Sequence, residues 1–131
     1  MEVLAAGGAL WDILVELKIP FRGDDCYPSN MITIPGGTAR NFAEAIARLG
    51  VEITLLSPLA LDGLERTVPP PGKTVFVERD RSARFIAVLN HEKKRLFSFN
   101  DTAPLDELNL EEIRPLLPSK APPDGGLYIL L

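Results

Sequence analysis

The spacing of apolar residues changes along this chain, and each change marks an element. Glu2-Val3-Leu4-Ala5-Ala6-Gly7-Gly8 is a short apolar run closed by glycines, as in a buried strand of a parallel sheet. Beyond Asp12, the residues Ile13, Val15 and Leu17 alternate with Leu14, Glu16 and Lys18, which predicts a strand-like continuation. Residues 20–29 read as a loop, and 30–34 as a strand running into Gly36-Gly37. Over 38–49 the period becomes helical. Phe42, Ile46 and Leu49 share one face, Ala39, Ala43 and Ala47 permit close packing, and Gly50 suits the stop. Residues 51–57 read as a second buried strand, so the order is β-α-β and the sheet parallel.

The pattern then loosens. Residues 58–72, with Pro69-Pro70-Pro71, predict an irregular stretch. Three strands in meander order are expected at about 74–78, 84–90 and 95–99, with His91-Glu92-Lys93-Lys94 as a polar hairpin tip. Asn109 can cap a short helix from Leu110, with Glu111 and Glu112 favourable in its first turn and Pro115 limiting it. Gly125-Gly126 then leads into a third buried strand over 127–131.

The richest candidate chemistry lies where a strand meets the helix. Consecutive glycines such as Gly36 and Gly37 can turn their N–H groups toward one point, because no Cβ blocks a ligand. The helix behind them adds unpaired donors and the positive end of its dipole. Asn41 offers both an acceptor and a donor, which suits a polyhydroxylated ligand. A plain strand-to-helix turn with a solvated Asn41 would use the same residues.

Pro35-Gly36-Gly37-Thr38-Ala39-Arg40-Asn41-Phe42-Ala43 through Ala47-Arg48-Leu49-Gly50 resembles the first signature of the PfkB (ribokinase-like) family of sugar and nucleoside kinases. In that family Gly-Gly-x-x-x-Asn-x-Ala leads into a helix ending Ala-x-Leu-Gly, and here Gly36, Gly37, Asn41 and Ala43 match. The resemblance implies an α/β fold with a central parallel sheet, flanking helices and a small β-sheet lid, truncated before the nucleotide-binding part. It implies one domain over 1–131, with lid segments at about 13–34 and 74–99. It implies substrate contacts from Asp12, Gly36, Gly37 and Asn41. Asp12 would grip two neighbouring hydroxyls, which a carboxylate can do because it only accepts. Leu10 departs from the polar residue that members often carry two positions before that Asp.

Other sites are less favoured by the spacing. Gly7-Gly8-Ala9-Leu10-Trp11-Asp12 lacks the third small residue of a dinucleotide fingerprint. Gly72-Lys73-Thr74 lacks the glycine a P-loop needs five positions earlier, where Thr67 stands. The family's Gly-Ala-Gly-Asp motif, whose Asp takes the substrate proton, is absent. Asp124-Gly125-Gly126 is the nearest approach and reads as a turn. His91 reads as a solvated turn residue, Asp24-Asp25 as a loop pair facing water, and Cys26 as an incidental thiol.

Composition narrows the classes. A chain of 131 residues with 46% hydrophobic content suits one soluble domain with a modest core. A single cysteine excludes an internal disulfide, and a net charge of −4 speaks against a nucleic-acid partner. No apolar stretch approaches the roughly 18 residues of a membrane span, and no signal peptide opens the chain. The cytoplasm is therefore the expected compartment. The expected function is the substrate-binding N-terminal part of a sugar or nucleoside kinase, inactive alone. ATP and Mg²⁺ are implied for a complete family member, with no cofactor, metal or catalytic residue in this chain. The alternative is a non-catalytic relative that binds a sugar or nucleoside, or dimerises through its lid. A homodimer, through the lid or an exposed sheet edge, is expected in either case.

Overall fold

The computed structural model describes residues 2–106, 109–117 and 126–130. They form two four-stranded sheets. In the first, β1 (Val3–Ala6) lies between β4 (Ile53–Leu59) and β8 (Leu127–Leu130), with β5 (Lys73–Glu78) outside β4. Every pairing in it is parallel, with Ala5 opposite Leu55 and Ile129. The second sheet has the order β3 (Ser29–Gly36), β2 (Leu10–Leu17), β6 (Ala83–Leu89), β7 (Arg95–Asp101). Its outer pairs are antiparallel hairpins and its central pair, β2 with β6, is parallel.

The parallel sheet is most apolar at β4, whose two faces are both covered. All seven residues of β4 are buried. On one side lies α1 (Thr38–Arg48), whose Ala39, Ala43 and Ala47 meet Val3, Ala5, Ile53 and Leu55. A row of alanines at helical spacing lets the helix axis approach the sheet closely, so β-branched and leucine side chains fill the seam. Phe42 and Ile46 pack against this core as expected, but Leu49 is 77% exposed. The helix ends at Arg48 and the chain turns away through Gly50 (φ 80°), which carries Leu49 off the apolar face.

The expected meander differs from what forms. Rather than joining the small sheet, β5 pairs with β4, placing Val75 opposite Leu56 and Val77 opposite Pro58. Phe76 packs on the core from one face of β5, while Val77 is buried on the other. A strand with apolar residues on both faces belongs in a covered parallel sheet rather than a half-solvated hairpin. The second lid segment therefore begins at Ala83 rather than near residue 74. The first spans β2 and β3, wider than 13–34, because pairing runs unbroken from Leu10 opposite Gly36 to Leu17 opposite Ser29. Asp12 consequently sits inside β2 rather than ahead of it.

The irregular stretch contains a 3₁₀ turn, Leu64–Arg66, entered through Gly63 in the left-handed region (φ 103°). Leu64 is buried in the main core and anchors it. After β7 come α2 (Ala103–Asp106) and α3 (Leu110–Ile113). Asn109 caps α3 reciprocally with Glu112: Glu112 N donates to Asn109 Oδ1 (3.0 Å) and Asn109 N to Glu112 Oε2 (3.3 Å). Glu112 also holds Arg79 at the end of β5, and that hydrogen bond keeps its carboxyl below the usual range. A turn, Arg114–Leu116, follows α3 directly and carries Pro115.

Candidate substrate-binding site

The site forms where the two sheets and α1 meet. Strand β1 passes into β2 through Gly7-Gly8-Ala9, and the turn is pinned from below, where Ala9 N donates to the buried Ser57 Oγ (3.0 Å). Strand β3 returns alongside β2 and ends at Gly36, so Gly36-Gly37 arrives beside that turn. The fit is close. A Cβ on Gly37 would stand 2.4 Å from the Gly8 carbonyl oxygen and 3.0 Å from Ala9 Cα. Gly37 also has φ 96°, so its lack of a side chain serves both conformation and space.

Gly36 meets a different neighbour. A Cβ there would lie 1.9 Å from Asp12 Oδ2 and 2.7 Å from its Cγ, so the carboxylate occupies the space beside the glycine backbone. Asp12 stands in register with Ile34 on one side and Phe85 on the other. Burial among these neighbours raises its carboxyl above the ordinary value of 3.8. Strand alternation puts Leu14, Ile32, Ile34, Phe85 and Ala87 on the Asp12 face of the small sheet. Ile32 and Ile34 remain 45% and 44% exposed, an apolar shelf beside the carboxylate.

The helix completes the arrangement. No side chain caps α1, and no acidic residue sits in its first turn, so its leading N–H groups have no side-chain acceptor. Asn41 lies one turn in, with its N–H donating to the Gly37 carbonyl (2.9 Å) and its side chain exposed. The four residues singled out from the sequence thus fall on three elements that share one junction. Asp12 and Gly36 touch, Gly37 adjoins the β1–β2 turn, and Asn41 bonds back to Gly37.

Other neighbours carry no signal in the sequence. Leu105 of α2 packs on Gly8, where a Cβ would come within 2.9 Å of its Cδ1. Trp11 rests against the main core and lies 4.0 Å from a Cβ placed on Gly63. Arg40, beside Asn41 in the first turn of α1, is buried. Its i, i+4 spacing from Glu44 announces a helical ion pair but not burial.

The remaining candidates lie elsewhere. Asp24, Asp25 and Cys26 are exposed in the β2–β3 loop, and His91 is exposed in the β6–β7 turn. Among the described residues, no group of three His, Cys, Asp or Glu could hold a metal ion. Asp124 and Gly125 lie outside the described residues. A separate open groove of about 630 Å³ sits at the carboxyl ends of β4 and β5, lined by Leu61, Asp62, Glu78, Arg79, Asp80 and Arg81. Both of its arginines are paired, Arg79 with Glu112 and Arg81 with Asp101. Among the described residues no helix is long and apolar enough to cross a membrane.

No protein-family model matches the sequence, and no curated protein matches it. Solved structures do match. A Clostridium perfringens protein described as a sugar kinase superposes with a TM-score of 0.75 at 21% identity, over 86% of this chain and 38% of its own. Arabidopsis thaliana ribokinase, solved with ribose and ATP, gives 0.60 at 18%, over 75% of this chain and 35% of its own. A nucleoside kinase from Methanocaldococcus jannaschii, an archaeal member of the ribokinase family, gives 0.60 at 19%, over 76% and 36%. The chain thus spans little more than a third of the length of these proteins. Over that span it has the fold of the ribokinase-like sugar and nucleoside kinases.

Proposed function

We propose that this chain is the substrate-holding part of a ribokinase-like kinase, and that the junction of β2, β3 and α1 binds a sugar or nucleoside. The contact between Asp12 and Gly36 carries the reading. It sets an acceptor-only carboxylate against a backbone without side chains and beside an uncapped helix start. A pair of adjacent hydroxyls is the natural complement of such a carboxylate, because each can donate to one oxygen. Asn41 and the N–H groups of Gly36 and Gly37 would meet the ligand from the other side. The apolar shelf of Ile32 and Ile34 would lie over it and exclude water. Ribose in the Arabidopsis structure gives a precedent for such a ligand on this fold.

Among the described residues no group of three His, Cys, Asp or Glu could hold a metal ion, and none is assigned a part in phosphoryl transfer. In this reading the purified chain turns over no ATP. Calorimetric titration of wild type and Asp12→Ala with D-ribose, D-fructose, adenosine and uridine tests the binding. Loss of at least tenfold in affinity for the tightest of these in the variant is the expected result. Equal binding by both proteins removes Asp12 from the site.

A second reading is favoured by the opposite face of the small sheet. Met31, Phe97 and Phe99 lie there, 70%, 41% and 58% exposed, with Phe97 edge-on to Phe99 and to Phe21. A two-faced apolar sheet has more to cover than one ligand can hide, which fits self-association through the lid.

A further inference from the structure

Arg40 is the one charged residue among the buried positions of α1, at 5% exposure. Its guanidinium makes four hydrogen bonds. Nε donates to Thr67 Oγ1 (3.1 Å) and Nη2 to the Thr67 carbonyl (2.9 Å). Nη1 donates to Asn41 Oδ1 (3.0 Å) and to Glu44 Oε2. Thr67, just after the 3₁₀ turn, is itself tied down, donating through Oγ1 to the carbonyl of Leu64 (2.8 Å), the turn's first residue. Glu44 is shared with Arg48, whose hydrogen bond is the main reason that its carboxyl lies below the usual range. One planar cation thus binds the first turn of α1 to the segment running from Gly63 to Thr67.

The consequence falls on Asn41. An amide side chain can sit either way round, with its oxygen and nitrogen exchanged, and each orientation offers a ligand different chemistry. A guanidinium has donors only, so the group facing Arg40 must be the amide oxygen. The NH₂ group donates to no described residue, and Asn41 is exposed. We infer that Arg40 is a positioning residue: it locks the Asn41 amide with its N–H groups free for the ligand, so the site selects a molecule presenting a hydrogen-bond acceptor there. The same lock makes the orientation depend on the 63–67 segment. The ligand half of this rests on the binding function proposed above; the orientation of the amide does not.

The two halves are separable in one set of experiments on the full chain. Arg40→Lys keeps the charge, but a single ammonium cannot span the carbonyl, hydroxyl, amide and carboxylate that the planar fork reaches. Thr67→Val removes one acceptor while leaving Arg40 in place. Nitrogen–proton spectra without ligand should show the wild-type Asn41 side-chain N–H₂ pair shifted away from exposed asparagines. Arg40→Lys should return it to their position, with Thr67→Val between. An unchanged pair in Arg40→Lys, in a variant that still melts cooperatively, overturns the inference. So does a lowered melting temperature as the only effect.

In the ligand arm, Asn41→Asp replaces the N–H₂ group with an acceptor of the same shape. It should lose about tenfold or more in affinity for whichever of D-ribose, D-fructose, adenosine or uridine the wild type binds most tightly. Undiminished binding overturns the selection of an acceptor. Failure of the wild type to bind any of the four overturns the binding function, together with the ligand half, while the spectra still decide the role of Arg40.

Discussion

At the scale of single residues, the two adjacent glycines do different work, and substitution should separate them. Alanine at Gly37 meets backbone, the Gly8 carbonyl oxygen and Ala9 Cα, and must also adopt φ 96°. Neither burden can be relieved by a rotamer change, so Gly37→Ala should cost about 2–4 kcal/mol in urea unfolding. Alanine at Gly36 meets a side chain, and the Asp12 carboxylate can swing away. Gly36→Ala should therefore melt close to wild type but bind its sugar or nucleoside poorly. Comparable unfolding costs for the two variants would contradict this division.

Asp12 itself links binding to pH. Burial raises its carboxyl, so around that value the folded chain holds more protons than the unfolded one. Stability contributed by this group is therefore greater at low pH and falls as pH rises through the folded pKa. Binding runs the other way, because only the carboxylate accepts from two hydroxyls. Affinity should fall on acidification with a midpoint above 3.8. Asp12→Asn should abolish that titration while melting no lower than wild type at pH 7. A midpoint at or below 3.8 would mean that the carboxylate is not shielded in the pocket.

At the scale of elements, the small sheet presents two apolar faces. Strand alternation separates Asp12, Ile34 and Phe85 from Met31, Phe97 and Phe99. Replacing Phe97 and Phe99 by Ser should lower the sedimentation mass if that outer face joins two copies, and should leave affinity for the small molecule near wild type. An unaltered mass shows that the outer face does not join copies. Most of the elements could be read from apolar spacing: Phe42 and Ile46 gave the helix face, and the even run of β4 gave a covered strand. Membership of sheets could not. Residues 73–78 spell a strand, but only the tertiary choice between β4 and a hairpin partner decides where it pairs. That Asp12, Gly36, Gly37 and Asn41 would adjoin one another followed from the resemblance and the glycine spacing, and the structure sets them at one junction; their binding role is the proposal made above. The place of Arg40 was not legible, since its partner Thr67 is distant in sequence and nothing around residue 40 announces burial.

At the scale of the whole molecule, the lid is stitched from two separate excursions of the chain. The hairpin of β2 and β3 leaves after β1, and that of β6 and β7 leaves after β5. They are joined by the parallel pairing of β2 with β6, between residues about seventy apart in sequence, and by the edge-on contact of Phe21 with Phe97. This arrangement is non-local, so closing it costs entropy before contacts repay it. Lid and body should accordingly form or dissolve together.

Trp11 is the only indole in the chain, and it stands at the seam, one residue before Asp12 and against both the main core and the Gly63 turn. Nature has thereby placed an optical gauge on the joint between the two sheets. Its emission in a urea titration should redden over the same concentrations that erase the far-ultraviolet dichroism of the whole chain. Two displaced transitions would instead reveal a joint that opens while the body persists.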